Sequence, residues 1–121
     1  MNVTTQQIPR EQWQSFFDTL GETYEGWAAS IEVMAQDLGD QQAEEGLPFQ
    51  GITFERVGSD AGNILIEVGD TEANFFTHHI DHPRAVRVTQ SQPGAEVDIE
   101  IESEEEGTTL LRLRPRTEIR G

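Results

Sequence analysis

The apolar residues recur with two different periods along the chain, and the change of period predicts its elements. Trp13, Phe16, Phe17, Leu20 and Tyr24 return every three or four positions behind Pro9, the spacing of one helical stripe. Proline suits a first helical turn and Gly26 suits the position after a last one, so the spacing predicts a helix over about 9–25. Gly21 inside it costs about 1 kcal/mol relative to Ala. From Trp27 the period becomes two. Trp27, Ala29, Ile31, Val33 and Ala35 alternate with Ala28, Ser30, Glu32, Met34 and Gln36, as on a strand with one buried face. Gln36 to Gly46 is acidic and glutamine-rich without an apolar repeat, and is expected to be an exposed loop.

Ile52 and Phe54 mark a second strand and Ile64, Ile66 and Val68 a third. Asn74 to Ile80 gives a fourth, closed by Pro83, with turns at Gly58 to Gly62 and Gly69 to Glu72. Ala85 to Gln90, Glu96 to Glu102 and Thr108 to Arg114 are three alternating runs joined by turn residues, a meander of two hairpins. Matching their apolar faces sets Val86 and Val88 against Ile99 and Val97, and these against Leu111 and Leu113. On the outward face that register places Asp98 between Arg87 and Arg112, with Glu96 near Thr89 and Arg114. Exposed pairs in such a row contribute only about 0–1 kcal/mol each, so the row would serve register and solubility.

Short connections between consecutive strands imply antiparallel pairing. The expected fold is therefore α+β: one N-terminal helix packed on a bent antiparallel sheet of six to seven strands, with a small Sm-like or SH3-like barrel as the sharper variant. Residues 1–8 are expected to be a flexible N-terminus, 9–114 a single domain and 115–121 a basic C-terminal tail.

The 121 residues suit one domain. Eight basic residues, all arginine, stand against 23 acidic ones, for a net charge of −15. The absence of lysine excludes Schiff-base, P-loop and kinase-type lysine chemistry, and the absence of cysteine excludes disulfides, thiol nucleophiles and cysteine-ligated metals. With no apolar run near the roughly 20 residues of a membrane span, the chain is expected to be cytoplasmic and without a membrane partner. A charge of −15 also makes it a poor partner for nucleic acid. The acidity itself has two readings, a surface kept soluble in high salt, or acidic strand faces that imitate a DNA backbone and inhibit a basic protein.

The three histidines fall in Thr77-His78-His79-Ile80-Asp81-His82, the segment that looks most like metal ligands. On a strand His78 and His82 lie about 13 Å apart, too far for one ion, while His79 and Asp81 share a face at about 6.6 Å. A bend at Pro83 could add His82, making His79, Asp81 and His82 the candidate metal set. The plainer expectation is a polar edge where His78 bonds a neighbouring strand. Acid–base catalysis needs buried carboxylates, whereas Glu67, Asp98, Glu100 and Glu102 fall on outward, solvated faces. No Gly-x-Ser-x-Gly, His-Glu-x-x-His or Gly-x-Gly-x-x-Gly occurs, and neither enzymatic activity nor a cofactor is expected.

Ile8-Pro9-Arg10-Glu11-Gln12-Trp13, Phe16-Phe17, Gly26-Trp27, Leu47-Pro48 and Gly51-Ile52 belong to a wider pattern. It continues through His78, Ile80, Pro83, Val86-Arg87-Val88, Ile99 to Glu102 and Leu110-Leu111-Arg112. Together these residues resemble a family of short bacterial proteins classed as a domain of unknown function. The resemblance implies one domain and nominates His78 as a polar position of interest, but it carries no activity. The leading expectation is a non-catalytic domain acting through protein contact or self-association. Its candidate surfaces are a sheet edge, surplus aromatic area at Trp13 and Phe17, and the basic Arg112, Arg114 and Arg116.

Overall fold

The computed structural model describes residues 4–35, 39–56, 62–71, 74–90, 92, 94–104 and 107–115. The helical stripe forms where its spacing places it. A 3-10 turn at Arg10–Gln12 leads into α1 (Trp13–Tyr24), whose Trp13, Phe17 and Leu20 are buried. Gly26, at φ 88°, turns the chain out of the helix. Two backbone bonds of 2.8 Å, from Gly26 N–H to the Phe49 carbonyl and from Phe49 N–H to the Trp27 carbonyl, then tie the helix end to the sheet.

The strands are β1 (Thr4–Ile8), β2 (Ala28–Ala35), β3 (Gly39–Phe54), β4 (Ile64–Gly69), β5 (Phe75–Ile80), β6 (Pro83–Gln90), β7 (Val97–Ser103) and β8 (Gly107–Arg114). They form one eight-stranded sheet in the order β1-β6-β7-β8-β2-β3-β4-β5, with every neighbouring pair antiparallel. The α+β class holds, but the sheet gains strands from two segments expected to be irregular. Thr4–Ile8, expected to be flexible, pairs with β6 and buries Ile8 opposite Val86. Of the acidic stretch expected as a loop, residues 36–38 lie outside the described residues, and Gly39 to Gly46 forms the first half of β3, paired with β2 from Ala35↔Gly39 to Ala28↔Pro48. Pairing with β2 satisfies its backbone, so a strand forms without an apolar repeat. The strand order ends at β1 on one side and β5 on the other, so the described strands do not close into the expected small barrel.

Pro83 opens β6 rather than closing β5, a position where a missing N–H is tolerated. The β7–β8 register is the expected one, Ile99↔Leu111 and Val97↔Leu113. The β6–β7 register differs by two residues, with Val86 opposite Ile101 and Val88 opposite Ile99. A two-residue slip keeps every apolar side chain on the same face, so alternation alone does not distinguish the two registers. What selects the observed one lies at the strand ends: Pro83 faces Ser103, and Ser103 Oγ donates to the Asp81 carbonyl at 2.7 Å. The turn expected at Gly58 to Gly62 lies outside the described residues except for Gly62, as do Arg116 and the tail beyond it.

The inner face of the sheet bends around α1. Trp13, Phe17 and Leu20 join Phe49, Ile52, Ile64, Ile66, Val68, Ile31, Ile99 and Leu111 in one buried cluster. Trp13 Nε1 donates to the Ile8 carbonyl at 2.9 Å and the indole meets Phe54 edge-on at 5.2 Å. Trp13 and Phe17, each 1% exposed, are thus core residues and not an interaction surface, because the sheet covers the aromatic stripe.

Two glycines should respond in opposite directions to alanine. A Cβ on Gly21 would meet Gly51 Cα at 4.0 Å, an ordinary contact, so Gly21→Ala should stabilise by about 0.5–1 kcal/mol in urea unfolding. At Gly69, φ is 140° and a Cβ would collide with the Asn74 carbonyl oxygen and sit 2.6 Å from Phe75 Cα. Gly69→Ala should therefore cost more than about 2 kcal/mol in the same measurement, by forcing the β4–β5 hairpin apart.

Candidate functional site

The outward faces of β6, β7 and β8 carry interleaved charges. Arg87 Nε lies 3.2 Å from Glu100 and its Nη2 3.8 Å from Glu102, which also meets Arg84 at 3.6 Å. Arg112 lies 3.8 Å from Glu96 and 3.9 Å from Asp98, and Arg114 lies 3.8 Å from Glu96. The expected row of Arg87, Asp98 and Arg112 is thus divided. Asp98 faces Arg112 on β8 but Thr89 on β6, while Arg87 faces Glu100, as the two-residue shift requires. Arg112 and Arg114 are committed to these carboxylates, which weakens them as a free basic surface. The same pairing breaks up the acidic array that a DNA-like face would need.

Asp98 departs from the solvated carboxylate expected there. Burial pushes its pKa up to about 6, helped by a hydrogen bond to Glu96 and that group's charge, against the pull of Arg112 and Arg114. One of its carboxyl oxygens, Oδ1, is buried without a hydrogen-bond partner.

The histidine segment does not converge. His78 faces inward opposite Ile66, and burial, then the charge of His79, lowers its pKa below the ordinary value and keeps it neutral. Its Nε2 is buried without a hydrogen-bond partner. His79 is exposed opposite Leu65. Asp81 and His82 make the tight connection to β6, where His82 takes φ 54° and its N–H lies 3.4 Å from Asn63 Oδ1. The His82 carbonyl accepts from Glu104 N–H at 3.2 Å. No group of three His, Asp or Glu able to hold a metal occurs among the described residues. His79, Asp81 and His82 are spread along a strand end and a turn instead.

The same segment supplies the most unusual surface. β5 ends the sheet and pairs with β4 on one side. Its sequence, Phe-Phe-Thr-His-His-Ile, contains no acid and no arginine in a chain of net charge −15. Phe75 is 44% and Phe76 43% exposed, the large apolar side chains left exposed among the described residues. Adjacent positions on a strand point to opposite faces, so one phenylalanine stands on each side of the edge. Gly69, opposite Phe75, offers it no side chain to pack on. The other edge, β1, exposes Thr5, Gln6 and Gln7 instead. The histidine segment is expected to be a polar edge and β5 is an edge, but it exposes Phe75 and Phe76, and His78 Nε2 is buried without the expected bond.

A cavity of about 440 Å³ also opens between α1 and strands β1 and β6. Phe16, Leu20, Tyr24, Val88 and Gln90 are among its lining, which among the described residues includes neither a carboxylate nor a histidine. Gln90 Nε2 donates to Tyr24 Oη at 3.2 Å across it.

The model of a family of unknown function, DUF5335, matches residues 4–120. The chain belongs to that family. It is similar to an uncharacterized protein of Aquifex aeolicus (strain VF5), 28% identical over 113 residues, covering 93% of this chain and 95% of that one. No solved structure matches it. Membership of DUF5335 agrees with the resemblance read from the N-terminal helix and the His78–Ile80–Pro83 segment. Among the described residues no helix is long and apolar enough to cross a membrane.

The Asp98 environment predicts a pH dependence. Folded, Asp98 holds its proton to about 6, whereas the unfolded chain releases it near 3.8, so this site stabilises the fold at low pH and loses that contribution as pH rises through 6. Burial of neutral His78 works in the opposite direction, favouring the fold above its ordinary value of 6.5. The difference between wild type and Asp98→Asn isolates the carboxyl. Thermal unfolding should give the variant a gain in relative stability from about pH 5 to about pH 8, with no penalty at the higher value.

Proposed function

We propose that this domain acts without catalysis, through protein contact, and that the contact is self-association of two copies along β5. The observation that carries this reading is the edge itself: unpaired on its outer side among the described residues, without Asp, Glu or Arg, and carrying exposed Phe75 and Phe76. Natural sheet edges are usually blunted by charge, proline or a bulge, and an edge left flat and apolar is a template for another strand. Electrostatics favours a second copy meeting at this place. Two chains of −15 repel each other over most of their surfaces, and β5 is a segment where neither brings a carboxylate. Antiparallel β5–β5 pairing about a two-fold axis would join the two sheets and cover the phenylalanines of both copies.

Light scattering coupled to size-exclusion chromatography tests this across a range of concentrations. The wild type should shift from monomer to dimer as concentration rises. The double variant Phe75→Ser/Phe76→Ser should remain monomeric, since both side chains are exposed and their loss spares the core. Thr77→Glu should also remain monomeric by setting like charges near the two-fold axis. A monomer at every concentration, or a dimer indifferent to all three substitutions, contradicts the reading.

A further inference from the structure

We propose that Arg10 and Arg56 form a binding site for a small phosphate-bearing ligand. The site is a cavity of about 260 Å³ where the start of α1 meets the end of β3, lined by Arg10, Glu11, Gln14, Phe54 and Arg56. It lies apart from β5 and does not depend on the self-association proposed there.

The argument begins with how arginines are used in this chain. Arg84, Arg87, Arg112 and Arg114 each lie within 3.8 Å of a carboxylate. Arg10 and Arg56 have no carboxylate at ion-pair distance among the described residues, in a sequence with 23 acids. They are nevertheless held in place. The Arg10 guanidinium lies 4.7 Å from the centre of the Trp13 ring and 5.3 Å from that of Phe54, and its Nη1 lies 3.3 Å from the Pro83 carbonyl oxygen. Arg56 Nη1 donates to Gln14 Oε1 at 2.7 Å. A guanidinium carries about five N–H donors. Each of these two spends one on the protein, and both line the same void.

Two fixed cations facing one cavity repel each other unless an anion lies between them. A carboxylate is matched by one guanidinium fork, whereas a phosphate has oxygens enough for two. Stacking on Trp13 and Phe54 also removes side-chain entropy that binding would otherwise cost. Glu11 on the lining opposes an anion, which selects against weakly held ones and gives the test a built-in control.

Calorimetric and NMR titration of the full chain with inorganic phosphate, with acetate in parallel, tests the site. Phosphate should saturate and acetate should bind far more weakly. Arg56→Gln should weaken phosphate by about tenfold or more, the size of a lost charge-assisted hydrogen bond. Arg10→Lys, which keeps the charge but loses the stacked fork, should weaken it as well. Glu11→Gln should tighten binding, a change that a merely structural role for the arginines would not produce, and Arg84→Gln should leave it unchanged. Because Arg56 and Glu11 are exposed, their variants keep the fold. Absence of saturation by about 10 mM phosphate, acetate binding as tight as phosphate, or indifference to both Arg56→Gln and Glu11→Gln overturns the proposal.

Discussion

The architecture depends on a single constraint, that β3 serves two neighbours in succession. Over Gly39–Pro48 it pairs with β2, and over Phe49–Phe54 with β4. Register shifts at Ala29/Ser30 and Phe49/Gly51 lie on either side of the point where the partner changes and let the ladder bend there, with a third further along β2 at Ile31/Glu32. The helix is fastened at the same place by the backbone bonds of Gly26 and Trp27 to Phe49. One strand therefore decides how the sheet curves, where α1 lies and which strands are left at the margins. β5 is an edge because β3 passes the sheet on to β4 and the chain then turns back to β6.

Where a local period coincides with a buried face, the sequence is readable. The stripe of Trp13, Phe17, Leu20 and Tyr24 and the alternation of Ile64, Ile66 and Val68 become the elements they imply, because burial acts directly on those side chains. The segment from Gly39 to Gly46 is opaque for the converse reason. Its strand is imposed by β2, whose backbone needs a partner, and nothing in its own apolar pattern records that. The β6–β7 register fails in a related way. Residues two apart on a strand are equivalent to the core, so the choice falls to Ser103 and the carbonyl of Asp81, a contact between segments 22 positions apart.

The candidate residues are less legible in the sequence than the fold, since their distinguishing features are relational. The histidines attract notice by type, yet a strand and a turn disperse them. Phe75 and Phe76 look like ordinary core residues until the topology puts β5 outermost. Arg10 and Arg56 stand 46 positions apart in the chain and become a pair when α1 is laid against β3. The net charge of −15 changes meaning once it is placed. Four arginines of β6 and β8 pair with Glu96, Asp98, Glu100 and Glu102, which among the described residues leaves the uncharged edge and Arg10 and Arg56, without such a pair, as the informative exceptions.

Hydrogen exchange at the backbone of Phe75–Ile80, followed as a function of protein concentration, bears most directly on the claim that the bare edge is an interface. Amides directed away from β4 have no strand partner among the described residues and should exchange fast when the chain is dilute. The account predicts that their protection rises with concentration while that of β1, the opposite edge, stays constant. Exchange along β5 that is the same at every concentration would contradict it.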